Sequence, residues 1–153
     1  MKILAIDPGS EESAFVQLYK SHVGLHGKLP NEEVEVLICT EWQYIADVFV
    51  IEMIASYGMP VGREVFDTCV WIGRFYAATL PKERALLYRR DEKIFLCGSM
   101  KAKDANIRQA LIDMWGGKEK AIGNKKDPGE LYGIHADEWA ALAVAVTFRD
   151  MER

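Results

Sequence analysis

The chain has 153 residues, half of them hydrophobic and 27% charged, with a net charge of −4, the composition of one globular domain (1–153) able to bury its own core. No apolar run is long enough to span a bilayer, and the net acidity argues against a protein that holds nucleic acid by bulk charge alone. The three cysteines, Cys39, Cys69 and Cys97, are odd in number and lack metal-ligand spacing, which excludes a disulfide framework and a structural zinc site and leaves buried, reduced thiols as the expectation.

Met1-Lys2 is followed by the short run Ile3–Ile6, which reads as a strand stopped by Pro8-Gly9 rather than as a secretory leader; the expected location is the cytoplasm. ESAFVQLY (12–19) alternates as its hairpin partner. A loop containing Gly24, Gly27 and Pro30 follows, and EVEVLI (33–38) has the period of two of a third strand. TEWQYIAD (40–47) suits a short helix with Thr40 as its cap. VFVIEMI (48–54) is apolar on both faces, as a central strand is, and Glu52 is its one interruption. A turn-rich loop, ASYGMPVG (55–62), leads into 63–80, whose apolar positions 65, 66, 69, 70, 72, 75 and 76 are close to helical spacing, with Pro81 as its stop. RALLY (84–88) is a strand, and DEKIFLCG a short helix closed by Gly98. Residues 102–117 form an amphipathic helix with Ile107, Ala110, Leu111 and Met114 on one face. A Lys-rich stretch to Gly133 reads as mobile, and 135–151 as an Ala-rich helix suited to close packing on a sheet. The fold class predicted is α/β: a mixed five-stranded sheet, three antiparallel strands and then parallel ones, with helices on both faces.

Charge is unevenly distributed along the chain. Residues 1–81 carry 5 Lys/Arg against 11 Asp/Glu, residues 82–126 carry 12 against 6, and residues 127–153 carry 2 against 6. Taken alone, the basic middle is a solvated surface.

Three acids stand out. Asp7 ends the first strand, Glu52 lies inside the fourth, and Asp137 opens the last helix. If strands one and four are neighbours and the last helix crosses them, the three converge, and crowded carboxylates require positive charge among them; oxygen-rich clusters of this kind suit Mg²⁺ or Mn²⁺. Each also has a local explanation. Asp7 can cap the Pro-Gly turn, and Asp137 can be a first-turn acid of its helix. Glu52 has no such local excuse.

IDPGS at the end of the first strand, IE in the fourth, WIGRFYA after it, EKIFLCGSMKAKDANIRQALIDMWG and a closing helix with D…ALAVA resemble, in that order, the ribonuclease H-like nucleases. More narrowly they resemble Holliday junction resolvases of the RuvC type, in a phage or prophage version. The resemblance implies a two-metal phosphodiester hydrolase, in which two Mg²⁺ ions (Mn²⁺ able to substitute) about 3.5–4 Å apart activate water and stabilise the leaving oxygen. Asp7 bridges both ions in that scheme, with Glu52 and Asp137 on either side. The family usually supplies two ligands from the last helix, and the register reads two ways. Aligning ALAVA (141–145) makes Asp137 the first and puts Ala140 at the second, whereas with Asp137 as the second the first falls one residue before His135. His135 is the further metal-ligand candidate, with Glu138 beside it. Lys101, Lys103 and Arg108 fall in the family's Lys-bearing region, with Lys103 expected beside the scissile phosphate, where it would stabilise developing negative charge. Lys118, Lys120, Lys125 and Lys126 are either phosphate contacts or a solvated loop. Tyr57 and Met59 are either a wedge between base pairs or a surface turn. The implied partner is branched DNA, a four-way junction cut by a homodimer, with helix 63–80 (Trp71, Phe75, Tyr76) serving sheet and interface. Two alternatives stand beside this: a nuclease on flaps or structured RNA, and a nucleic-acid-binding module with weak catalysis. A sugar-kinase-like ATPase needs two such domains and is rejected.

Overall fold

A computed structural model describes residues 1–152. Five strands, β1 (Lys2–Asp7), β2 (Glu12–Tyr19), β3 (His22–Pro30), β4 (Val48–Met53) and β5 (Glu83–Tyr88), form one sheet in the order β3-β2-β1-β4-β5. The first three are antiparallel; β4 and β5 continue in parallel from β1. The mixed sheet expected from the sequence is therefore present.

Both faces of the sheet are covered, because alternate residues point to opposite sides. Ile3, Ala5, Val16, Val48 and Val50 face a helix α7 (Glu138–Met151), whose alanines and valines are buried against them. Small side chains let that helix lie close to the strands, so whatever stands at its N-terminus is held near the ends of β1 and β4. Leu4, Ile6, Phe15, Phe49 and Ile51 face the other way. They meet α1 (Asn31–Leu37), its π-helical continuation Ile38–Trp42 and short end α2 (Gln43–Ile45), and α3 (Arg63–Ala78) through Val34, Ile38, Trp42, Ile72 and Phe75. Helices α4 (Arg89–Cys97), α5 (Asp104–Met114) and α6 (Lys118–Ala121) complete the α7 side.

The structure corrects the sequence reading at several places. Residues 33–38 are helix, not strand: Val34, Ile38 and Trp42 recur every four residues and are buried, whereas Val36 is 59% exposed. Pro30 sits at the helix start and Glu32 and Glu33 in its first turn, where acids are favoured by the helix dipole. The third strand is instead the glycine-containing segment 22–30. Its glycines lie opposite bulky neighbours, so that a Cβ on Gly27 would meet the Phe15 ring at 3.0 Å and one on Gly24 would meet the Gln17 amide oxygen at 2.6 Å; glycine inside a strand marks such close approach. Thr40 caps nothing; it lies within the helix and its hydroxyl donates to the Val36 carbonyl at 2.8 Å. In α5 it is Ile112, not Met114, that joins Ile107 and Leu111 in the core.

Residues 118–133, expected to be mobile, are packed. Ala121 and Leu131 are buried, the Leu131 N–H donates to Ala121 O at 2.7 Å, and the Glu130 carboxylate accepts from the Val23 N–H at 2.6 Å, tying this segment to β3. The cysteines are free, but Cys39 and Cys69 are exposed rather than buried. Among the described residues no helix is long and apolar enough to cross a membrane.

Candidate active site

The turn after β1 does not use Asp7 to satisfy its backbone. The Gly9 N–H donates to Ser13 Oγ, the Asn31 amide donates to the Gly9 carbonyl at 2.9 Å, and Ser13 and Asn31, both wholly buried, bond to each other. The bend is tight, since a Cβ on Gly9 would stand 2.4 Å from the Glu12 carbonyl oxygen. With the turn closed by other residues, the Asp7 carboxyl is left for something else.

Ile6 pairs with Ile51 in the parallel β1–β4 ladder, so the next step of the register brings Asp7 beside Glu52, both on the α7 side of the sheet. Their carboxyls stand close enough for each to perturb the other's titration. Burial pushes Asp7 up to about 8, helped by the neighbouring Glu52 carboxyl. Burial also pushes Glu52 up to about 7, with the Glu92 charge adding to it and Arg89 opposing it. Two such groups titrate as a pair.

Asp137 arrives from the opposite direction. It stands at the N-cap of α7, but its carboxylate makes no capping bond; it accepts from Lys28 Nζ at 2.8 Å. Ala136 before it has φ +47°, a left-handed conformation costly for a residue with a Cβ and characteristic of constrained functional positions. β3 fixes this helix end twice. His26 Nδ1 lies 2.9 Å from Glu138 Oε2, and two residues on, along the same face of the strand, Lys28 holds Asp137. The strand that the sequence hid thus positions the third acid.

The candidate helpers are engaged elsewhere. Glu138 is buried, with His26 and the His135 backbone N–H on its Oε2. The exposed His135 ring lies 3.0 Å from the Gly133 carbonyl oxygen. Ala140, in the first turn of α7, lines a small cleft with Asp137, Arg89 and Asp104.

Arg89 and Glu92, which the sequence reading did not single out, complete the cluster. Arg89 Nη1 stands 3.7 Å from Glu52 Oε2 and 3.4 Å from Glu92 Oε2, and its Nη2 bonds Asp104. Glu92 is wholly buried, and burial holds its carboxyl up at about 8 against the pull of Arg89. The one signal for the pair was the i, i+3 spacing of Arg89 and Glu92 at the start of α4, in a DEK context that reads as solvated surface.

Lys103 stands at the N-cap of α5, immediately before Asp104, which places it on the rim of this region; its backbone N–H donates to Asn106 Oδ1. Lys101 is exposed, and the Arg108 guanidinium lies over the Trp139 ring at 4.8 Å. Tyr57, exposed and at φ +50°, lines a cleft of about 240 Å³ with Tyr88 and Arg90.

An open pocket of about 390 Å³ lies over Asp7, Gly9, Ser10, Glu12, Lys28 and Asp137. As the side chains stand, no three His, Cys, Asp or Glu groups among the described residues already converge as metal ligands; Arg89 and Lys28 supply the positive charge. The donors nonetheless fit a hard divalent cation. All are carboxylate oxygens, and Glu52 Oε2 and Glu92 Oε1 are buried with no hydrogen-bond partner among the described residues.

A three-stranded antiparallel meander continued by two parallel strands, with carboxylates at the ends of β1 and β4 and a helix laid across them, is the ribonuclease H-like fold. The chain is similar over its whole length to two solved structures of Thermus thermophilus RuvC. One matches with a TM-score of 0.72 at 14% identity, covering 99% of this chain and 97% of that one. The other is described as T. thermophilus RuvC in complex with Holliday junction substrate; it matches with a TM-score of 0.76 at 14% identity, covering 100% of this chain and 95% of that one. No family model matches the sequence, and no curated protein does.

Proposed function

We propose that this chain is a metal-dependent endonuclease that cuts DNA at branch points, resolving four-way junctions by paired nicks. The observation that carries the reading is the placement of Asp7 and Glu52 side by side, both buried, at the ends of neighbouring strands. Their turn and strand use neither carboxyl for structure, and burying two such groups without a cation costs free energy. Asp7, Glu52 and Asp137 would hold Mg²⁺, with Mn²⁺ able to replace it, two ions per site as in related chemistry. Such ions supply a deprotonated water and stabilise charge on the leaving oxygen. To hold the ions, Asp7 and Glu52 would have to be in their ionised form. Lys103, next to Asp104, and the exposed Lys101 suit contact with the phosphate backbone, and Tyr57 suits stacking at an opened base step.

The reading of branched DNA as substrate is supported by likeness to a protein bound to such a junction. Two identical sites related by a two-fold axis suit a junction cut symmetrically, and α3 offers an outer face for pairing, with Phe66 62% and Val70 61% exposed. A second reading, a DNA-binding module with weak catalysis, draws on Ala140. Incubating the protein with four-way junctions, flaps and linear duplex under Mg²⁺, Mn²⁺ or EDTA separates these readings, and cutting of flaps alone would redirect the substrate assignment.

A further inference from the structure

Asp7, Ala14 and Lys28 are opposite one another across β1, β2 and β3 and form one row on the face beneath α7. Neighbouring strands lie roughly 4.8 Å apart, so Lys28 begins two strand spacings from Asp7. The middle member of the row is an alanine, which leaves room for the lysine stem to lie back over β2 toward the acids. Its ammonium stands 2.8 Å from Asp137 Oδ2 and 3.8 Å from Glu12 Oε2, on the wall of the pocket that also contains Asp7. The side chain is 40% exposed, so a ligand in that pocket can reach it. Arg89, by contrast, pairs with the acids from the buried side.

A surface ion pair contributes little to stability, and this one occupies a carboxylate that the proposed function assigns to a metal ion. Asp137 cannot serve the ammonium and a cation fully at once. Once Asp137 is taken, Lys28 keeps the looser Glu12 carboxylate at 3.8 Å within the pocket, and a substrate phosphate there is the further anion within its reach.

We propose that Lys28 is a phosphate-contacting catalytic residue, held on Asp137 in the metal-free protein and released to a non-bridging oxygen of the scissile phosphate when a divalent cation occupies that carboxylate. This rests on the nuclease reading above. Lys28 then competes with the metal before loading and stabilises charge on the phosphate afterwards, so its removal changes metal affinity and cleavage in opposite directions.

The test compares wild type, Lys28→Gln, Lys28→Arg and Asp7→Asn. Mn²⁺ affinity is read by titration calorimetry without DNA, and cleavage by single-turnover kinetics on a four-way junction at saturating protein. Lys28→Gln is expected to bind Mn²⁺ about two- to fivefold more tightly, the loss of a competing surface pair. Its cleavage rate is expected to fall on the order of a hundredfold, the scale of losing one transition-state donor, with Lys28→Arg in between. Lys28→Gln cutting at the wild-type rate would overturn the proposal while leaving the nuclease reading intact, provided Asp7→Asn is inactive. Mn²⁺ affinity and cleavage falling together in both Lys28 variants would also overturn it, since that is the behaviour of a clamp that only holds α7 in place. A wild type that neither binds Mn²⁺ nor cuts would overturn both.

Discussion

Asp7, Glu52 and Glu92 are acids that the fold keeps protonated. In an unfolded chain such carboxyls release their protons near pH 4; folded, Asp7 and Glu92 hold theirs to about 8 and Glu52 to about 7. Between about pH 4 and pH 8 the folded state therefore binds more protons than the unfolded one, and the stability of the metal-free protein falls as pH rises through that window. Thermal melts in EDTA from pH 5 to 9 are expected to show a steady decline, with added Mg²⁺ restoring more at pH 8 than at pH 6, because cation and proton compete for the same oxygens. A flat profile would mean that the carboxyls are solvated. Glu92→Gln separates the contributions. At pH 6 it replaces a neutral carboxyl by an amide of similar shape and should change little, while at pH 9 it should raise Tm by at least about 3 °C, the equivalent of roughly 1 kcal/mol in a chain of this length. None of this was legible in the sequence for Glu92, because burial of an acid depends on what folds over it. Asp7 and Glu52 were legible because a strand is the wrong place for a carboxylate without a purpose.

At the scale of elements, strands with one strong period announced themselves and the segment 22–38 did not. Glycines signal loops when neighbours are unknown, but Gly24 and Gly27 are spaces filled by Gln17 and Phe15 from the adjacent strand, and that information lies in β2. In 33–38 the acids Glu33 and Glu35 alternate with Val34 and Val36 and imitate a strand; the deciding contact, Trp42, falls beyond the window. The consequence reached the site, since His26 and Lys28 were hidden with β3. The two assignments differ in a measurable way. A strand would bury Val34 and Val36 on one face, whereas the helix buries only Val34. Val34→Ala should cost about 1–2 kcal/mol in urea unfolding, the lost transfer energy plus a cavity, and Val36→Ala should stay within about 0.5 kcal/mol. Equal losses at both positions would contradict the helix.

At the scale of the whole molecule, the proposed function asks how a chain of this size would handle a symmetric substrate. The outer face of α3 carries Phe66, Cys69 and Val70 in the open, on the opposite side of the sheet from α7. Pairing through that face would leave both acid clusters accessible. Sedimentation equilibrium is expected to give twice the monomer mass at micromolar concentration, and Phe66→Glu with Val70→Glu should return a folded monomer with a native circular dichroism spectrum, since neither side chain supports the core. A wild-type chain that sediments as a monomer would contradict pairing through α3. The central claim, that the acids at the ends of β1 and β4 are there for metal-assisted cutting of branched DNA, is tested most directly by one gel. Wild type and Asp7→Asn are incubated with a labelled four-way junction in Mg²⁺. Symmetric nicks from the wild type, abolished by EDTA and by the substitution, are the expected result. An intact junction with wild type, or equal cutting by Asp7→Asn, would contradict it.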